Sequence, residues 1–319
     1  MPKGGNSAVT DCADSPSQLP TGRNGPNETA HRQTTLVMLS DGPAAEVYRP
    51  RSNPHPPDDQ GNTSSPQLTE RTPLILVCEH ASNRIPHALG DLGLTTAART
   101  SHVAWDPGAF DVARYLADDL AAPLVFSRFS RLVYDCNRHT QAPDAIPEIS
   151  ESIIIPGNMG LTPDQREARQ QEIYQPFCAA LDHEINAHLS RGIAPIILTI
   201  HSFTPIYHGQ RRNVQLGIVH DSDARFADVL LACAVKTTEL TCARNEPYSS
   251  ADGVTHTLRQ HAVPHQLLNA MIEIRNDLIT SPATMKRMAN LLTKIIKKVT
   301  SQDLQNPSPV KPFLHRSAS

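Results

Sequence analysis

Leu74-Ile75-Leu76-Val77-Cys78-Glu79-His80-Ala81-Ser82-Asn83-Arg84-Ile85-Pro86 runs four aliphatic residues into an acid, a histidine and an asparagine. A short apolar run of this kind reads as a strand buried on both faces, as in a parallel sheet. In open α/β sheets, ligands gather just past the carboxyl ends of the strands. Glu79, His80 and Asn83 therefore stand where a site is expected. The plainer alternative is a buried strand that runs into a polar loop.

The pattern around this stretch alternates strands with helices. Residues 111–120 read as a helix, with Val112, Ala113, Leu116 and Leu120 spaced along one face. Leu124-Val125-Phe126 and Leu132-Val133-Tyr134 read as short strands. Thr162-Pro163-Asp164-Gln165 opens a helix: Thr162 caps, Pro163 suits the first turn, and Gln165 completes a capping box. That helix is expected to reach about residue 189, with a kink or break at Pro176. Pro195-Ile196-Ile197-Leu198-Thr199-Ile200 is a second buried strand, and it too ends in a histidine, His201. Residues 214–219 form a further strand and 224–233 a helix. Met271-Ile272-Glu273-Ile274-Arg275 is a strand that carries an acid between two isoleucines. Ser281-Pro282 opens a last helix with Met285, Met288, Leu291, Leu292 and Ile295 on its apolar face. The succession predicts a three-layer α/β/α domain with a mostly parallel or mixed sheet over residues 71–300.

The 319 residues include 39% hydrophobic ones, enough for a sizeable core, and the formal net charge is only -3. Neither a nucleic-acid partner nor an acidic lipid surface is indicated. The six cysteines are scattered without a CxxC pair, which fits reduced thiols in a cytoplasmic protein. No apolar run reaches the ~18–20 residues needed to span a bilayer. Residues 1–70 are rich in Pro, Ser, Thr, Asn, Asp and Gly and read as a flexible extension, with Met38 as an alternative initiator. Residues 301–319 read as a polar tail.

Three strand ends supply polar groups: Glu79-His80, His201 and Glu273. Imidazoles and carboxylates are the usual ligands of a catalytic zinc, and a nearby free carboxylate can act as general base. Taken singly, each histidine also reads as a hydrogen-bonded core residue, and Glu273 as a buried partner for an arginine. Arg131 and Arg138 flank a short apolar run and could hold an anionic substrate bidentately; a basic face paired with Asp135 is the alternative. Trp105-Asp106-Pro107-Gly108-Ala109 and Pro156-Gly157-Asn158 read as tight turns. GxSxG, P-loop and GxGxxG motifs are absent from the sequence.

Cys78-Glu79-His80-Ala81-Ser82-Asn83-Arg84-Ile85-Pro86 resembles the opening motif of the N-formylglutamate amidohydrolase family. Further matches follow in the family's order: Asp106-Pro107-Gly108-Ala109, Ser130-Arg131-Leu132, Asp135-Cys136-Asn137-Arg138, Ile155-Pro156-Gly157-Asn158, His201-Ser202-Phe203-Thr204-Pro205, Asn245-Glu246-Pro247-Tyr248 and Ile272-Glu273-Ile274-Arg275-Asn276-Asp277-Leu278-Ile279. Any one motif is weak; the ordered set is specific. The resemblance implies a phosphorylase/hydrolase-like fold related to the zinc carboxypeptidases, a divalent metal (zinc), a small acidic N-acyl amino acid as substrate and a place in histidine degradation. It implies His80 and His201 as ligands, Glu273 as general base, and Asn137, Arg138 and Arg131 as substrate-binding residues. At the position of the peptidases' glutamate ligand stands Asn83, whose amide oxygen is a weaker ligand, so Glu79 competes for that place. Adjacent residues on an extended strand point to opposite faces, and a turn starting at Glu79 would relieve this. The expected reaction is N-formyl-L-glutamate plus water giving L-glutamate and formate. Hydrolysis of another N-acyl amino acid or short peptide, or non-catalytic binding of an acidic metabolite, are the alternatives.

Overall fold

The computed structural model describes residues 39–50 and 72–303. The expectations for Met38 and for most of the two tails lie outside these residues. Seven strands form the main sheet: β1 (Ala45–Tyr48), β2 (Leu74–Cys78), β3 (Leu124–Ser127), β4 (Ile196–Phe203), β5 (Leu216–Val219), β6 (Cys242–Arg244) and β7 (Asn269–Arg275). Their order is β1-β3-β2-β4-β7-β5-β6. The four strands from β3 to β7 run parallel; β1 is antiparallel to β3, and β5 is antiparallel to β7. The sheet is thus mixed, and its parallel centre is the part that reads as continuous apolar runs.

Four longer helices cover it: α1 (Ala109–Leu120), α2 (Gln175–Leu189), α3 (Arg225–Thr237) and α4 (Pro282–Asp303). Alternate residues of each strand face opposite layers, as the period of two demands. Leu74, Leu76, Leu198, Ile200, Ile272 and Ile274 pack with apolar residues of α1, α3 and α4. Ile75, Val77, Ile197 and Met271 pack on the other face with Phe177, Leu181 and Ile185 of α2. The α/β/α architecture matches the expectation from the sequence. Each fully buried aliphatic side chain contributes roughly 1.5–3 kcal/mol.

The capping box at Thr162 forms as the sequence predicts, with Gln165 reciprocating. Pro176 does not break the helix. A π turn over Gln170–Tyr174 widens the chain just before it. The wider turn makes room for a ring that lacks an N–H and would crowd the carbonyl four residues back.

Two expectations change. Leu132-Val133-Tyr134 is buried but is not a strand. Both edges of β3 are already taken by β1 and β2, so no ladder is open to it. It forms a turn instead, with Val133 N–H donating to Ser130 O at 2.9 Å and Leu132 N–H to Ser130 Oγ at 3.1 Å. The second change is at the amino end, where the domain begins before residue 71. Ala45–Tyr48 pairs with Leu124–Ser127, and Ala44 joins the core. Arg49 holds the buried Glu184 of α2 at 2.5 Å, and the Arg84 guanidinium donates to Asp41 O at 3.1 Å. Averaged composition hid this four-residue strand inside a polar segment. Among the described residues, no helix is long and apolar enough to cross a membrane.

Candidate active site

The carboxyl ends of β2, β4 and β7 meet at one end of the sheet. Glu79 and His80 form a turn directly after β2. That turn frees them from strict alternation, so both side chains approach His201. His201 and Glu273 are register partners on the adjacent strands β4 and β7. A cavity of about 260 Å³ opens here, lined by His80, Asp106, Arg131, His201, Tyr248 and Glu273 among others.

Asp106 sits between the two imidazoles. Its Oδ2 is 2.8 Å from His201 Nδ1 and 3.3 Å from His80 Nδ1. Its other oxygen accepts from Arg131 Nη1 at 3.0 Å. The turn Asp106-Pro107-Gly108 brings it there. The backbone N–H of Asp106 donates to His80 O at 3.0 Å, and Ser202 Oγ donates to Pro107 O at 2.9 Å. Gly108 has φ +80°, and a Cβ on it would meet Ile279 O at 2.6 Å, so this turn needs glycine.

Each histidine has a second carboxylate on its far nitrogen. His80 Nε2 lies 2.7 Å from Asp135 Oδ1. His201 Nε2 lies 3.1 Å from Glu79 Oε2, close enough for charge attraction but not aligned as a hydrogen bond. Each imidazole is therefore held between two carboxylates, Asp106 on Nδ1 and a second acid on Nε2.

The electrostatics follow from burial against charge. Burial works to raise Asp106, but His80 and Arg131 outweigh it and hold its carboxyl far below the usual range. Asp135 is held low in the same way by His80 and Arg131. Burial opposes charge on His201, yet Glu79 and Asp106 raise its pKa well above the ordinary value. Glu79 is held low by His201 in spite of burial. Glu273 goes the other way. Burial pushes its pKa up to about 7, only partly offset by His201 and Arg131, and its Oε2 has no hydrogen-bond partner.

This donor set fits a cation. Glu79, Asp106, Asp135 and Glu273 are four buried carboxylates, and Arg131 pairs with two of them, Asp106 and Asp135. Both oxygens of Glu79 and Nε2 of His201 lack hydrogen-bond partners. The ligand atoms of His80, Asp106 and His201 lie within 4.8 Å of one another. Nitrogen and oxygen ligands around a tetrahedral ion stand about 3.3 Å apart, the scale seen here. His80, Asp106 and His201 thus form a possible metal-binding group.

Residues 72–280 match the model of the N-formylglutamate amidohydrolase family. The chain belongs to the N-formylglutamate amidohydrolase family. As a member of that family it is an amidohydrolase. It is similar to the gene product Atu2144 from Agrobacterium tumefaciens, with 43% identity, TM-score 0.76, and coverage of 84% of this chain and 98% of that one. It also shares its fold with the N-formylglutamate amidohydrolase from Ralstonia eutropha JMP134, at 19% identity and TM-score 0.54, over 81% of this chain and 99% of that one. No curated protein matches the chain.

The structure of this N-formylglutamate amidohydrolase family member brings His80, His201, Glu79, Arg131 and Glu273 together. Asn83 is elsewhere: its amide donates to Arg99 O at 3.0 Å. Asn137 is committed at both ends of its amide, accepting from Thr257 N–H at 3.0 Å and donating to Val254 O. Arg138 lines the cavity, but its Nε donates to Asp144 at 2.6 Å and its Nη1 to Asn137 O and Gly253 O. Sequence reasoning gives Asp106, Asp135 and Tyr248 no place in the site, although all three stand in motifs that carry the family resemblance and Asp135 reads as an arginine partner, which it is. The available signal was an acid beside a Pro-Gly turn in one case and beside Asn-Arg in the other. Tyr248 reaches the cavity because the neighbour of Glu273 on β5 is Gly217. A Cβ there would lie 2.0 Å from Glu246 O and 3.2 Å from Glu273 Cβ.

Proposed function

We propose that this chain hydrolyses the amide of N-formyl-L-glutamate, or of a closely related small acidic N-acyl amino acid, with the help of a divalent ion, zinc. The reading rests on one arrangement: two buried imidazoles bracket Asp106, with a raised Glu273 on the next strand. His80, Asp106 and His201 would hold the ion. Bound there, zinc would supply Lewis acidity for the acyl carbonyl and for water.

The protein's own groups then have distinct parts. Glu273, with a pKa of about 7, is suited to take a proton from water and return it to the leaving amine nitrogen. One water is consumed, the C–N bond breaks, and formate and L-glutamate leave. Asp135 and Glu79 orient the imidazoles from behind. Arg131 balances Asp106 and Asp135 and lines the cavity, as does Arg138. The five described cysteines are free thiols, in keeping with a cytoplasmic setting.

The test is metal analysis of the purified protein followed by assay of amine release. Zinc-loaded protein is expected to release glutamate from N-formylglutamate faster than from N-acetylglutamate or from formylated peptides. No release from any of them by the zinc-loaded protein refutes the reading.

A further inference from the structure

The two arginines that line the cavity are both engaged. Arg131 is held by Asp106 and Asp135, and Arg138 by Asp144 and two carbonyls. A third arginine differs from both. Arg212 follows the small ladder of Ile206–Tyr207 with Gln210–Arg211 and precedes β5. Because β5 runs antiparallel to β7, Leu216 lies opposite Ile274, so the lead-in to β5 arrives at the end of the sheet where β7 finishes.

The Arg212 guanidinium stands 4.3 Å from the ring centre of Tyr207, 4.7 Å from that of Tyr248 and 5.6 Å from that of Phe203. Its Nη1 donates to Tyr248 Oη at 3.0 Å and to Thr204 O at 3.5 Å. Among the described residues no carboxylate pairs with it, and its Nε and Nη2 carry no hydrogen bond. Tyr207 and Tyr248 both line the cavity. Aromatic faces hold a guanidinium in a fixed plane without neutralising it. The planar guanidinium keeps its Nε–Nη2 edge free, and such an edge matches a carboxylate bidentately.

We propose that Arg212, caged by Phe203, Tyr207 and Tyr248, receives a carboxylate of the substrate and sets the preference for acidic N-acyl amino acids. This rests on the hydrolase reading above. Tyr248 links the two halves of the site, touching Arg212 through its hydroxyl while lining the same cavity as Glu273.

The experiment crosses enzyme variants with substrate analogues. Wild type, Arg212→Gln and Arg212→Lys are assayed, zinc-loaded, on N-formylglutamate, on N-formylglutamine and on the α-carboxamide of N-formylglutamate. Arg212→Gln is expected to raise KM for N-formylglutamate roughly 10- to 100-fold, the scale of a charge-assisted pair, with kcat within about threefold. On the one analogue whose amide replaces the recognised carboxylate, the same variant should change KM little. Arg212→Lys, which keeps charge but loses the fork, should fall between, and it serves if the Gln variant does not fold. Equal losses on all three substrates, or no loss on N-formylglutamate, overturn the proposal. Calorimetric binding of L-glutamate to the same proteins separates the two readings. Wild type that binds glutamate without hydrolysing any substrate refutes the hydrolase, and Arg212 is then judged by whether Arg212→Gln weakens that binding. Wild type that does not bind glutamate overturns the carboxylate site.

Discussion

Replacing Glu273 by glutamine should make the metal-free protein more stable and the loaded enzyme nearly inactive. The Glu273 carboxyl is raised from 4.5 to about 7 by burial. That displacement, about 2.5 units, corresponds to roughly 3 kcal/mol between its two protonation states. The sign follows from proton binding. Below about pH 4.5 the carboxyl is neutral in both folded and unfolded chains, and the variant gains nothing. Between 4.5 and 7 the unfolded chain loses the proton first, so wild-type stability falls. Above 7 the full cost is present, and Glu273→Gln removes it. Chemical unfolding of EDTA-treated wild type and variant at pH 5 and pH 8 reads this difference directly. The variant is expected to gain up to about 3 kcal/mol at pH 8 and much less at pH 5. Turnover with zinc restored should fall roughly 10²- to 10⁴-fold, the range for losing a general base. Wild-type activity should itself decline as pH falls through the Glu273 pKa, at a midpoint below the metal-free value of about 7 because a bound dication favours the carboxylate, since the protonated acid cannot accept a proton. Undiminished turnover would refute the role of Glu273, and equal stability of the two proteins at both pH values would refute its burial-driven shift.

Other substitutions probe the rest of the site. Asp106→Ala should abolish retained zinc after dialysis, Glu79→Gln should lower affinity roughly 10- to 100-fold, and Asn83→Ala should leave it unchanged, as measured by metal titration. Full retention in Asp106→Ala would overturn the assignment of the third ligand. Gly217→Ala places a methyl 2.0 Å from Glu246 O, so the return of the chain toward Tyr248 must shift. A loss of at least about 2 kcal/mol is expected by thermal unfolding, with reduced activity. Arg169 is buried, with its pKa lowered to about 10 by desolvation, and donates to Val133 O, Asn158 Oδ1 and Gly157 O. Arg169→Met leaves those acceptors unpaired and should cost at least about 3 kcal/mol in denaturant unfolding. A near-neutral result would show that the cation carries no net stabilisation.

Strands buried on both faces were legible because their apolar runs need no tertiary information. Leu74–Cys78, Ile196–Phe203 and Asn269–Arg275 all appear where the sequence puts them. Glu273 stood out for the same reason, as an acid in a run that should hold none. Asp106 and Asp135 did not stand out. Acids beside proline, glycine and asparagine are ordinary turn residues, and their value comes from imidazoles 26, 95 and 55 positions away. Leu132-Val133-Tyr134 has strand composition but no free sheet edge, and edges are a property of topology. Arg212 carries no local signature, since its meaning comes from aromatic rings that converge only after folding.

The edge strand Ala45–Tyr48 bears on how the protein can be shortened. Composition invites a cut near residue 70, which would discard it. The trimmed product would present the backbone N–H and C=O groups of Leu124–Ser127 as an open template for another chain. Glu184, only 2% exposed, would lose the guanidinium of Arg49 that neutralises it. Such a fragment should tend to self-associate through its bare edge, and a soluble minimal form should begin before Leu39 rather than after Arg71.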